Sequence, residues 1–138
     1  MSSEEERVNN LVAEIRVLES TFNELSGRQN LLERILIETR SAMETLVGLG
    51  SAKTDEVLIP VGGGILVRAS PPSVDRVLLN VGANVVVEKS KDYASKFMEA
   101  RAKEIEESIV SIASQRNQIA QRLDSDRRAL QNIVNRQG

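Results

Sequence analysis

Glu56 to Ser90 reads EVLIPVGGGILVRASPPSVDRVLLNVGANVVVEKS, and this stretch decides the fold. It is rich in Val and Leu and punctuated by Gly and Pro, dividing into VLIPV, GGG, ILVRA, SPPS, DRVLLNV, GAN and VVVEK. Short apolar, Val-rich runs between turn formers predict four strands. Gly62 to Gly64 and Gly82 to Asn84 supply residues able to take positive φ, so each is expected to turn a hairpin. Ser70 to Ser73, with its paired prolines, joins the two. Pro60 cannot donate to a ladder, so its strand should leave that position unpaired at an edge or a bulge.

The flanks are different in kind. From about Glu4 to Val47 the chain is charged, free of Pro, and apolar at spacings alternating three and four: Val8, Leu11, Ile15, Leu18, Phe22, Leu25, Leu32, Leu36, Met43 and Leu46, with Gln29 and Thr39 as polar interruptions. Ser3 with Glu6 reads as a capping box, and Gly48 and Gly50 mark the far end. Such a helix would extend on the order of 65 Å at 1.5 Å per residue, too long for a globule of this size. Ser26-Gly27 is a weak point that can bend it. From about Asp92 to Arg136 the signature returns in Met98, Ala102, Ile105, Ile109, Ile112, Ile119, Leu123, Leu130 and Ile133, with Arg116 and Asp126 as polar exceptions and Ser90 as N-cap. Two equal heptad helices separated by a connector are expected to fold back as an antiparallel coiled coil, with Val8 meeting Leu130 and Ile133 at the tip. Equal arms also bring Gln29 and Arg116 to nearly the same level, where they can pair. The expected architecture is therefore α+β in one structural domain, with a helix over 1–50, hairpins over 51–90 and a second helix over 91–138.

Strands such as VLLNV and VVV are apolar on both faces, as strands are when covered on both sides. Two hairpins alone are marginal in water, and the rest of the chain is committed to the coiled coil. The hairpin residues Val57, Ile59, Val61, Ile65, Val67, Val77, Leu79, Val81, Val85 and Val87 are therefore expected to be covered by other subunits, closing a shared β-barrel.

Composition agrees with helices and removes whole classes of function. Hydrophobic residues make up 41% of the 138 but aromatics only 2%, which suits heptad seams better than a ring-filled globular core. Without Cys or His there is no disulfide, thiol nucleophile, imidazole base or ordinary zinc or haem site, so neither metal nor cofactor is expected. Gly62-Gly63-Gly64 is not a phosphate loop, because no Gly-Lys-Ser/Thr follows and the glycines lead into a strand. Asp124 and Asp126 stand two apart on a helix and form no acid-base dyad, so no catalytic residue is expected. The runs Glu4-Glu5-Glu6, Glu106-Glu107 and Arg127-Arg128 read as solvated helix face. A net charge of −2 gives no global attraction to nucleic acid or anionic membrane, no apolar run approaches membrane-spanning length, and MSSEEER lacks signal-peptide character, so the expected compartment is the cytoplasm.

Read together, EVLIPVGGG at Glu56 to Gly64, VLLNVGANVVVEKS at Val77 to Ser90, and Asp92-Tyr93-Ala94 at the start of the second helix resemble the prefoldin family, in its alpha class, which has two hairpins where the beta class has one. The resemblance covers essentially the whole chain. It implies an ATP-independent co-chaperone, a hexamer of two alpha and four beta subunits whose hairpins build a double barrel. It further implies that the coiled-coil tips hold unfolded polypeptide and pass it to a group II chaperonin. The residues that would do so here are Val8, Leu11, Val12, Ile15, Leu130, Ile133 and Val134, an apolar stripe wider than a two-position seam at an end prone to fraying. The other reading is that these residues simply close the end of the coil, which applies above all to the seam members Leu11, Ile15 and Leu130, since heptad positions are core first. A coiled-coil scaffold or tether, oligomerised through its hairpins, is the alternative; a tether needs a polar-rimmed interface, whereas a holdase needs a loose aliphatic patch.

Overall fold

The computed structural model describes residues 3–51 and 55–137; residues 1, 2, 52–54 and 138 of the expected segments lie outside the described residues. The order is α1 (Ser3–Ser51), β1 (Val57–Gly62), β2 (Ile65–Ala69), β3 (Arg76–Gly82), β4 (Val85–Ser90) and α2 (Lys91–Gln137). Residues 1–35 with 105–138 form one compact unit, and residues 36–104 form a second.

In the first unit the helices pair antiparallel. Arg116 on α2 donates to Gln29 on α1 at 2.9 Å, and Arg127 meets Glu19 at 2.8 Å, which sets one consistent register. The heptad pattern is realised: Leu25, Ile112, Leu123 and Ile133 are buried, and Leu11, Ile15, Leu18, Phe22, Ile119 and Leu130 are half-buried along the same seam. Ser26 bonds back to the Phe22 carbonyl at 2.8 Å, yet α1 continues unbroken through Ser26-Gly27. A Cβ at Gly27 would meet open space, so Gly27→Ala should stabilise the protein by about 1 kcal/mol through helix propensity alone. A urea midpoint unchanged or lowered in this variant would contradict that expectation.

In the second unit Leu36, Thr39, Val74, Ala94 and Ala102 are buried. Helix α1 does not stop at Gly48 or Gly50 as expected but runs to Ser51. Neither glycine takes the positive φ of a C-cap, and the Ser51 hydroxyl bonds the Val47 carbonyl at 3.0 Å. Gly50 has a different use: a Cβ there would run into the Lys91 side chain and press on Val74 Cγ2 at 3.3 Å. The Lys91 N–H in turn donates to the Asp75 carbonyl at 3.1 Å, and Ser90 caps α2 by accepting from the Tyr93 N–H at 3.1 Å.

The strands form two separate antiparallel hairpins, β1 with β2 and β3 with β4. Each has a register shift just before its turn, at Val61 between Pro60 and Gly62 and at Val81 between Asn80 and Gly82. Pro60 thus stands beside a bulge, where a missing donor costs least. In the turns, Gly63 and Gly64 both take positive φ, and so do Ala83 at 50° and Asn84 at 60°. Successive positive φ values are what a twisted two-residue hairpin turn demands. Asn80 steadies the second turn by accepting from the Gly82 N–H at 2.9 Å.

Candidate functional site

Two apolar surfaces come out of this fold, one in each unit. The first belongs to the hairpins. Strand alternation with the observed register puts Val57, Ile59, Ile65 and Val67 on one face of the first hairpin, and Val77, Leu79, Val85 and Val87 on the corresponding face of the second. Ile59, Ile65, Val67 and Val85 lie open to solvent, while Val57, Val77, Leu79 and Val87 are half-buried. Val61 and Val81 are exposed as well, but as bulge residues they leave the strict alternation expected of them. Sequence periodicity did not single out the opposite face, where Leu58, Leu66, Val86 and Leu78, the last 76% exposed, are equally uncovered. Ion pairs edge that face, Arg68 with Glu56 at 3.7 Å and Arg76 with Glu88 at 3.9 Å, whereas the first face carries a single charged residue within its strands, Lys89 opposite Val77, so it is the stronger candidate for a barrel interior. So much aliphatic surface on two-stranded sheets is not sustainable in an isolated chain.

The second surface is the end of the helix pair that carries the termini. Val8, Leu11, Val12, Ile15 and Leu130 are half-buried, Val134 is 51% exposed, and Ile133 is 1% exposed. Val8 shares a shallow notch with Glu5, Asn9 and Gln137, which puts it about a turn beyond the level of Ile133 that equal arms suggested. Ile133 therefore closes the seam while Val134 and Val12 flank it.

Polar seam residues lie just inboard of this end. The Arg116 guanidinium stacks over the Phe22 ring at 4.9 Å while donating to Gln29, whose amide in turn donates to Glu33 at 3.2 Å; the expected Gln29–Arg116 pair is formed. Asp126 sits on the seam at 4% exposure with its Oδ2 buried and unpartnered, while its Oδ1 lies 3.4 Å from Arg122 Nε. The same Nε donates to Glu14 on α1 at 2.6 Å, so one guanidinium serves two carboxylates. Glu14 is the partner that sequence reasoning missed; its only signal was the heptad position beside Ile15. Burial first, and then the adjoining Glu14 carboxyl, push the Asp126 carboxyl above its usual range, whereas the Arg122 hydrogen bond holds Glu14 below its own.

The signs can be worked out. A raised folded-state pKa at Asp126 means that its contribution is full below the ordinary carboxylate value and is lost as pH rises through the raised one. Glu14 does the reverse: its contribution is present above its ordinary value and lost as pH falls through the lowered one. Asp126→Asn should therefore be more stable than the parent at neutral pH, with the advantage shrinking as pH falls into the acid range. Urea midpoints of the two proteins across pH check this, and an advantage that does not vary with pH would contradict it.

Among the described residues no cluster of potential ligands could hold a metal ion, and no helix is long and apolar enough to cross a membrane. Gly62 to Gly64 are taken up in a hairpin turn, and Asp124 is paired with Arg128 at 3.2 Å, away from buried Asp126.

Antiparallel heptad helices with two β-hairpins between them, whose apolar faces are uncovered, define the class of protein: a coiled coil carrying paired hairpins in its connector. The family model described as Prefoldin subunit matches residues 5–136, and the chain belongs to the prefoldin family. It is similar to the prefoldin alpha subunits of Archaeoglobus fulgidus, at 33% identity over 95% of this chain and 98% of that one, and of Nitrosopumilus maritimus, at 31% over 94% and 90%. These likenesses, with the two hairpins, put it in the alpha class. Among solved structures it resembles a subunit of the filamentous prefoldin of Methanocaldococcus jannaschii, with a TM-score of 0.54 over 87% of this chain and 94% of that one; at 22% identity this shows the fold. The family is a non-enzymatic chaperone, so a chaperone role and assembly with beta subunits are implied.

Proposed function

We propose that this chain is the alpha subunit of an ATP-independent holdase in the cytoplasm, contributing to a hexamer of two alpha and four beta subunits. Its hairpins join the shared barrel through Val57, Ile59, Ile65, Val67 and their counterparts in the second hairpin. Unfolded polypeptide binds at the terminal end of the helix pair, on Val8, Leu11, Val12, Ile15, Leu130, Ile133 and Val134, and is passed to a group II chaperonin. The carrying observation is the juxtaposition at that end of half-buried aliphatic side chains with exposed Val134. A loose aliphatic patch without a shaped pocket suits weak binding of many sequences better than it suits one folded partner. Family membership supports the handover to a chaperonin.

The test is to mix the chain with a beta-class subunit and follow light scattering of a denatured enzyme diluted into the mixture. Suppressed aggregation without nucleotide, and release of the client on addition of a group II chaperonin, are the expected results. A particle that assembles but leaves aggregation unchanged would favour the scaffold or tether instead.

A further inference from the structure

We propose that Glu56, Arg68, Arg76 and Glu88 sort the two hairpins by charge: each hairpin is barred from lying beside the other, and takes as its barrel neighbour a hairpin that sets an acid beside Arg68 or a base beside Glu88. The inference deepens the proposed assembly and rests on its reading of the hairpins as a subunit interface. It starts from an internal repeat. Glu56 to Ser70, EVLIPVGGGILVRAS, aligns without a gap to Arg76 to Ser90, RVLLNVGANVVVEKS. Val57, Val61, Gly62 and Val67 recur as Val77, Val81, Gly82 and Val87, and the register shifts at the same place in both hairpins. On the outer face, exposed Leu58 and Leu66 have exposed Leu78 and Val86 as counterparts. The charges on that face are exchanged, Glu56 standing where Arg76 does and Arg68 where Glu88 does. Each hairpin still has its own ion pair, so the exchange costs neither of them anything by itself.

What the exchange changes is the contact between hairpins. With the turns at the same end, β2 beside β3, as in a four-stranded meander, sets Arg68 against Arg76, and β4 beside β1 of a second copy sets Glu88 against Glu56. A hairpin beside its own kind instead meets opposite charge, Arg68 against Glu56 or Glu88 against Arg76. Like charges on neighbouring strands are destabilising and opposite ones stabilising, so the pattern repels the wrong neighbour as well as attracting the right one. Apolar matching cannot do this, because the aliphatic positions of the two hairpins are nearly the same. The link from Ser70 to Asp75 is of a length that ordinarily joins adjacent strands, yet β2 and β3 lie in separate sheets. The edges of both hairpins are thereby left to other subunits.

The chain has no cysteine, so Leu66→Cys with Leu78→Cys on the exposed outer face reports β2 beside β3 by forming a disulfide. In this full-length reporter chain, exchanging the charges of the second hairpin alone, Arg76→Glu with Glu88→Arg, should raise the yield of the cross-link about tenfold over the parent charges. Exchanging those of the first hairpin alone, Glu56→Arg with Arg68→Glu, should do the same. Exchanging both should return the yield to the parent level, because unlike hairpins again meet like charge. A yield that ignores the charges, or that stays high when both hairpins are exchanged, would overturn the proposal. Each chain is also mixed with a beta-class subunit and its mass measured. A cross-link that follows the charges in a chain whose parent form builds no particle with beta subunits would leave the sorting standing and instead overturn the reading of the hairpins as a subunit interface.

Discussion

Changing Ile59 and Val67 together to Asp should abolish assembly with beta subunits. The two are cross-strand partners on the charge-free face of the first hairpin, and in the isolated chain each is close to half exposed. Fully burying such a side chain from water is worth about 1.5–3 kcal/mol, and about half of that remains to be gained by a half-exposed one, so losing both costs about 1.5–3 kcal/mol. That is roughly ten- to a hundred-fold in association, before the penalty of placing carboxylates in an apolar interior, which adds to it. Val17→Asp is the control. Val17 is also an exposed aliphatic, on the outer face of α1, so its change should leave assembly intact. Analytical ultracentrifugation distinguishes the outcomes; a double variant that still forms the parent particle would show that this face is not the one buried between subunits.

Removing residues 1–15 and 130–138 should leave the particle assembled while eliminating its ability to suppress aggregation. The cut deletes every residue of the proposed client surface and spares the hairpins, the Gln29–Arg116 pair and buried Leu25, Ile112 and Leu123. A milder pair, Val12→Ser with Val134→Ser, alters residues that flank the seam and should weaken capture several-fold while the seam itself stays closed. Loss of assembly on truncation would mean that these residues are structural.

Much of the architecture is legible in the sequence, because heptad spacing and turn chemistry are local properties. Every seam residue from Val8 to Leu46 and from Met98 to Ile133 is buried or half-buried, and both hairpins turn where glycine and asparagine predicted. What the sequence does not show depends on approach between distant residues. Gly50 looks like a helix stop but is a close-contact position against Lys91 and Val74. Val74, an isolated aliphatic after SPPS, carries no periodicity and still becomes part of the core. Val61 and Val81 continue an alternating pattern by eye, yet the one-residue bulges take them out of the ladder. At the candidate site, the Gln29–Arg116 pair follows from register alone. Glu14 beside Asp126 does not, because it depends on how one arginine reaches across the seam.

All of this turns on the aliphatic hairpin faces that the described residues leave uncovered, a point that sedimentation of the purified protein can decide. Alone it should not persist as a folded monomer, and with a beta-class subunit it should convert to a single hexameric species. A stable, cooperatively folding monomer that stays separate from beta subunits would contradict it.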